Sequence, residues 1–166
     1  KATWFFLGNV AVSHPNLVKR VISAGHATGV HGFRHDPVWA QTPMEFRENL
    51  RKAKDAIEQA GGEATLGYRA ATFSIGPNVP WAFEELVAAG FLFDSSIFPF
   101  RGSRYGDPRA PVVPYRIATP NGPLFEVPLS VVVAPGFKKR IPVCGGGYLR
   151  HFPYAVTRWT MKRLAR

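Results

Sequence analysis

The 166 residues hold a single cysteine, Cys144, so no disulfide can close within the chain and the fold cannot depend on oxidation. Cys144 itself reads as an ordinary buried thiol. No apolar run approaches the length of a membrane span, and the opening segment from Lys1 to Gly8 is too short and too soon broken for a signal peptide. An initiator Met is also missing. An apolar segment that begins at Thr3 with no lead-in is expected to sit inside a domain whose first element lies upstream. The compartment stays open, with a cytoplasmic or cytoplasmic membrane-associated placement ahead of a periplasmic one.

Acidic residues are scarce in one part only. Through Ser96 nine basic residues face nine acidic ones, whereas beyond it twelve face two, so the whole net charge of +10 belongs to the C-terminal part. Such a surface suits an anionic polymer, nucleic acid or lipid headgroups, or it is a solvated face whose acidic partners lie elsewhere. The arginines there lie among prolines without periodicity, so no nucleic-acid partner is expected. Repeats and low-complexity tracts are absent as well, and 46% hydrophobic content supports one substantial core. Oligomeric state is not legible.

What is present is an alternation of strand and helix signals. Trp4 to Leu7 reads as a buried strand, and Ser13-His14-Pro15 opens a helix that Gly25 closes. Ala27 to Val30 is the next strand. Thr42-Pro43-Met44-Glu45 forms a capping box for a helix to about Ala60, stopped by Gly61-Gly62, with Phe46, Leu50, Ala53 and Ile57 at helical spacing as its core face. A third strand is expected over Leu66 to Ala70, a helix over Pro80 to Ala89, and a strand over Phe91 to Phe93. Short connections between such elements predict a parallel α/β arrangement, whose functional groups gather at the carboxyl ends of strands. Beyond Ile97 the prolines and glycines from Pro99 through Pro123 predict a long irregular excursion, with strands at Phe125 to Val127 and Ser130 to Val133. Gly145 to Tyr148 makes a tight segment, and Pro153 starts a basic amphipathic helix.

The sharpest local feature is His31-Gly32-Phe33-Arg34-His35, directly after the second strand. Two imidazoles at a strand's mouth are a metal-ligand pattern, although a catalytic zinc centre takes three protein ligands and so needs another donor. Gly32 inside the pair and Pro37 after it place the histidines on a loop rather than on a helix face. His26, before the strand, reads as a structural hydrogen-bonder.

Gly25-His26, His31 to His35, Gly67-Tyr68-Arg69-Ala70 and Gly90-Phe91-Leu92-Phe93-Asp94-Ser95-Ser96 form an ordered series. This series resembles the polysaccharide deacetylases, carbohydrate esterase family four, also called the NodB-homology group. Asp94-Ser95-Ser96-Ile97-Phe98-Pro99 and Gly145-Gly146-Gly147-Tyr148-Leu149-Arg150 resemble the branch associated with exosortase-type exopolysaccharide clusters. The resemblance implies an α/β fold, a partial distorted (β/α) barrel truncated at both ends, with residues 1–166 a single domain fragment and an irregular extension from about residue 97. It implies His31 and His35 as ligands of a divalent ion, zinc favoured, with manganese, cobalt or iron open. Arg69 matches the arginine that orients the base carboxylate, and Asp94 matches an acidic residue that helps set the site's electrostatics. Thr72 matches the position whose backbone N–H meets the oxyanion, while Tyr148 and Arg150 are candidate sugar contacts.

The family's metal-binding and base aspartates belong to a strand before the one at Trp4, and the sequence holds no match to them. No match appears for the late general-acid histidine either, and His151 is not assigned that role. The implied activity is metal-dependent N-deacetylation of an N-acetylated polysaccharide, with this chain alone expected to be inactive. The alternative is a non-catalytic carbohydrate-binding or scaffold relative.

Overall fold

The computed structural model describes residues 1–102, 105–133, 140–143 and 145–164. Cys144 lies outside them. Five parallel strands, β1 (Thr3–Phe6), β2 (Ala27–Val30), β3 (Gly67–Tyr68), β4 (Phe93–Asp94) and β6 (Gly122–Glu126), share one sheet, and β5 (Tyr115–Thr119) adds antiparallel to β6 at the edge. The order is β1-β2-β3-β4-β6-β5. It is an open sheet rather than a closed barrel, as a partial barrel requires. No helix among the described residues is long and apolar enough to cross a membrane.

The long helix α3 (Pro43–Gly61) forms where its end signals place it. Thr42 accepts the Glu45 N–H at 3.3 Å while the Glu45 carboxylate accepts the Thr42 N–H at 2.7 Å, so two otherwise orphaned amides are satisfied reciprocally. Gly62, at φ 77°, closes the last turn in the left-handed region. Phe46, Leu50, Ala53 and Ile57 are all buried against the sheet, where Phe46 meets the Tyr68 and Trp81 rings edge-on at 5.7 Å. Arg47 adds a two-pronged bond to Glu85 of α4 (Trp81–Ala88). Thr42→Ala is expected to lower unfolding free energy by about 1 kcal/mol in chemical denaturation.

Three elements differ from the expectation. β1 is exposed to partly buried rather than a buried strand, with Trp4 51% exposed. β1 is followed at once by a short helix, α1 (Gly8–Ser13), before α2 (Pro15–Ser23). Gly8 permits this close approach, because a Cβ there would come within 2.8 Å of the Ala53 Cα in α3. The proline-rich excursion also contains order. Tyr115 to Glu126 is a hairpin whose prolines fall in harmless places: Pro120 in the turn, and Pro123 beyond the residues that pair with β4. β7 (Val131–Val133) and β8 (Arg140–Pro142) form a second small sheet, followed by α5 (Gly146–His151) and α6 (Tyr154–Leu164). Phe98, Phe100, Leu129 and Val131 make a separate apolar cluster there.

Candidate active site

The carboxyl ends of β2, β3 and β4 deliver His31, His35, Arg69, Thr72 and Asp94. After Val30 the chain turns through a loop held by backbone ties from several sides. His31 N–H donates to the Phe6 carbonyl at 2.8 Å, the amides of Gly8 and Asn9 donate to the Gly32 and Phe33 carbonyls, and Phe33 N–H donates to Asn49 Oδ1. His35 sits at φ 48°, a conformation that costs a residue with a Cβ about 1–2 kcal/mol and persists because the surroundings hold it.

The two imidazoles meet. Their ring centres lie 5.0 Å apart at 68°. Two rings that bind one ion at about 2.1 Å each, with a tetrahedral angle between them, have centres roughly 5 Å apart, the separation found here. His31 Nδ1 lies 2.6 Å from the Arg69 carbonyl, which can only accept, so Nδ1 carries the proton and Nε2 keeps its lone pair. Burial lowers the His31 pKa; the Arg69 carbonyl opposes this, and the charges of His35 and Arg69 add to the lowering. Neutral imidazole is the ligating form. Among the described residues no third His, Cys, Asp or Glu completes a ligand group.

Arg69 ties the strand ends together. Its N–H donates to the Val30 carbonyl, its Nε to the Ser95 carbonyl at 2.9 Å and its Nη2 to Ser95 Oγ at 2.7 Å, while the guanidinium lies 4.3 Å from the centre of the Phe5 ring. Ser95 Oγ in turn donates to the Val127 carbonyl after β6. The following turn carries Thr72 and Phe73 at φ 55° and 52°. Both histidines, Arg69 and Thr72 line one open cleft of about 440 Å³ together with Trp4, Phe5 and Phe73. That volume suits a small-molecule unit.

The other candidates lie elsewhere. Asp94 is fully buried behind the cleft, where it accepts from Ser96. Tyr148 packs its ring 6.0 Å from those of Phe98, Phe100 and Phe152, and Arg150 is exposed on α5. His26 accepts the Ala2 N–H, as a structural histidine does. Sequence reasoning gave no role to Phe5 or Glu126 and took Ser95 and Ser96 only as members of a motif run. A glutamate in an otherwise apolar strand was the available signal for the last.

Fold and edge together place the chain among the α/β proteins built on parallel strands with their polar groups at the carboxyl ends. Comparison with known proteins narrows this. The polysaccharide deacetylase family pattern matches residues 1–88, over half of the chain, and the chain belongs to that family. Residues 95–166 match a domain of unknown function (DUF3473). The chain is 31% identical over 102 residues to the peptidoglycan deacetylase of Helicobacter pylori, a match covering 58% of this chain and 32% of that protein. It is 33% identical over 86 residues to the peptidoglycan-N-acetylglucosamine deacetylase of Bacillus cereus, covering 51% of this chain and 31% of the relative. A crystal structure assigned as a polysaccharide deacetylase from Mycobacterium smegmatis superposes with a TM-score of 0.64 at 26% identity, covering 87% of this chain and 46% of that one. The matched region thus spans about a third of the length of these curated relatives.

Proposed function

We propose that the chain carries part of the active site of a metal-dependent polysaccharide N-deacetylase, acting on acetamide groups of an N-acetylated exopolysaccharide or its precursor. The carrying observation is the His31 and His35 pair, 5.0 Å between ring centres in a cleft shared with Arg69. Similarity to peptidoglycan deacetylases supports an N-acetylated glycan as the substrate class. A divalent ion held by the two imidazoles would supply Lewis acidity to the acetamide carbonyl and acidify water, which hydrolysis of an unreactive amide requires. Zinc suits imidazole donors best, with manganese, cobalt and iron admitted.

The remaining roles fall to the chain itself. The Arg69 carbonyl holds His31 in its ligating tautomer, and the Arg69 guanidinium orients the base carboxylate. The Thr72 amide, in its left-handed turn, faces the developing oxyanion. Asp94 sets the field behind Arg69, and Tyr148 and Arg150 are the candidate sugar contacts. Residues 1–166 act in this reading as one domain. The complete protein is expected to release acetate from an N-acetylated polysaccharide, to lose this on chelation and to regain it with zinc. Polysaccharide binding without acetate release would instead identify a non-catalytic relative.

A further inference from the structure

Behind the cleft two carboxyl groups are buried side by side. Asp94 of β4 and Glu126 of β6 are direct partners across the parallel pair, and both are fully buried. Two adjacent carboxylates without a cation between them cannot both ionise in such a place. Their hydrogen bonds tell them apart. Asp94 accepts at both oxygens, from the Ser96 hydroxyl at 2.5 Å and the Ser96 N–H at 3.3 Å, as a carboxylate does. Glu126 accepts the Ile97 N–H at Oε1, but its Oε2 receives no hydrogen bond and is the orphaned buried side-chain atom among the described residues.

A proton on Oε2 turns that orphan into a donor, and the Asp94 side chain, its partner across the strand pair, lies within hydrogen-bond reach of the Glu126 carboxyl. The carboxylate so fixed anchors a chain of bonds that runs to the cleft. Ser96 Oγ, donating to Asp94, accepts the Ala70 N–H at 2.8 Å, one residue after Arg69 and two before Thr72. Ser95, the residue between, receives the Arg69 fork.

We propose that Glu126 is a positioning residue of the site: as a neutral carboxylic acid it donates to the Asp94 carboxylate, and through Ser96 and Ser95 the pair sets the Arg69 to Phe73 turn. The region after residue 95 thereby contributes to a site whose cleft-lining residues all lie before it. Burial first, and then the charge of Asp94, push Glu126 far above the ordinary carboxyl range, while the Ile97 N–H and Arg69 pull only weakly the other way. The other titratable groups facing the pair are the Tyr68 and Tyr115 hydroxyls, both pushed up by burial and by these acids and so neutral. No base stands among them to take the proton.

The effect on turnover rests on the deacetylase reading; the shared proton does not. Infrared difference spectra of the complete protein at neutral pH, wild type against Glu126→Gln, are expected to show a protonated carboxyl stretch that the variant lacks. Absence of that band overturns the proposal whether or not the protein is active. Glu126→Gln, whose amide can make both hydrogen bonds, is expected to keep kcat within about threefold, and Glu126→Ala to lose about tenfold or more with KM little changed. If Glu126→Ala fails to fold, Ser96→Ala takes its place with the same expectation. Loss of kcat in Glu126→Gln equal to that in the alanine variant contradicts the positioning role. A wild-type protein with no acetate release refutes the deacetylase reading and leaves the infrared result to decide the proton.

Discussion

Replacing His31 and His35 together by alanine is expected to abolish divalent-ion uptake by the complete protein. Each ring would supply one nitrogen, and the loop brings their centres to 5.0 Å. Removing a hydrogen-bond partner outside a ligand set costs about 10- to 100-fold in metal affinity, so removing two ligands is expected to cost more than about 100-fold. The fold should survive, because the backbone bonds of His31, Gly32 and Phe33 still hold the loop once the His31 tie to the Arg69 carbonyl is lost. Elemental analysis after dialysis checks the uptake and circular dichroism checks the fold. Unchanged metal stoichiometry in a folded double variant rejects the assignment.

A second large effect concerns stability against pH. Glu126 titrates near 4.5 in its unperturbed state and far higher in the folded protein, so above that pH the folded state holds a proton that the unfolded state has released. Stability therefore falls as pH rises, by up to about 1.4 kcal/mol per pH unit, and the contribution is fully present only below the unfolded pKa. Between pH 5 and 8 the wild type is expected to lose up to roughly 4 kcal/mol relative to Glu126→Gln, which has no proton to lose. Urea denaturation of both proteins across that range measures the difference. Parallel curves would mean that Glu126 holds no proton in the folded protein.

The parts of this site that were legible in the sequence are those written locally. Thr42 and Glu45 cap α3 because the donors they satisfy lie within three residues, and the apolar spacing of Phe46 to Ile57 names the face that the sheet must cover. His31 and His35 follow a strand directly, so their loop position could be read from Gly32 and Pro37. Other features depend on partners far along the chain. Glu126 sits 32 residues from Asp94, and only the pairing of β4 with β6 makes it a neighbour. The β5–β6 hairpin was hidden by prolines whose harmlessness depends on how far β4 runs along β6. α1 was obscured because Gly8, ordinarily a breaker, is required by its contact with Ala53. Arg69 was legible as a motif residue, but its ties to Ser95 and Phe5 belong to tertiary structure.

Crystals of the complete protein grown with zinc offer the most direct test, through the anomalous scattering of the metal. The expected result is a single strong peak between the two rings, about 2.0–2.1 Å from His31 Nε2 and from a nitrogen of His35. A map with no peak there, or with the ion bound away from both imidazoles, would contradict the account.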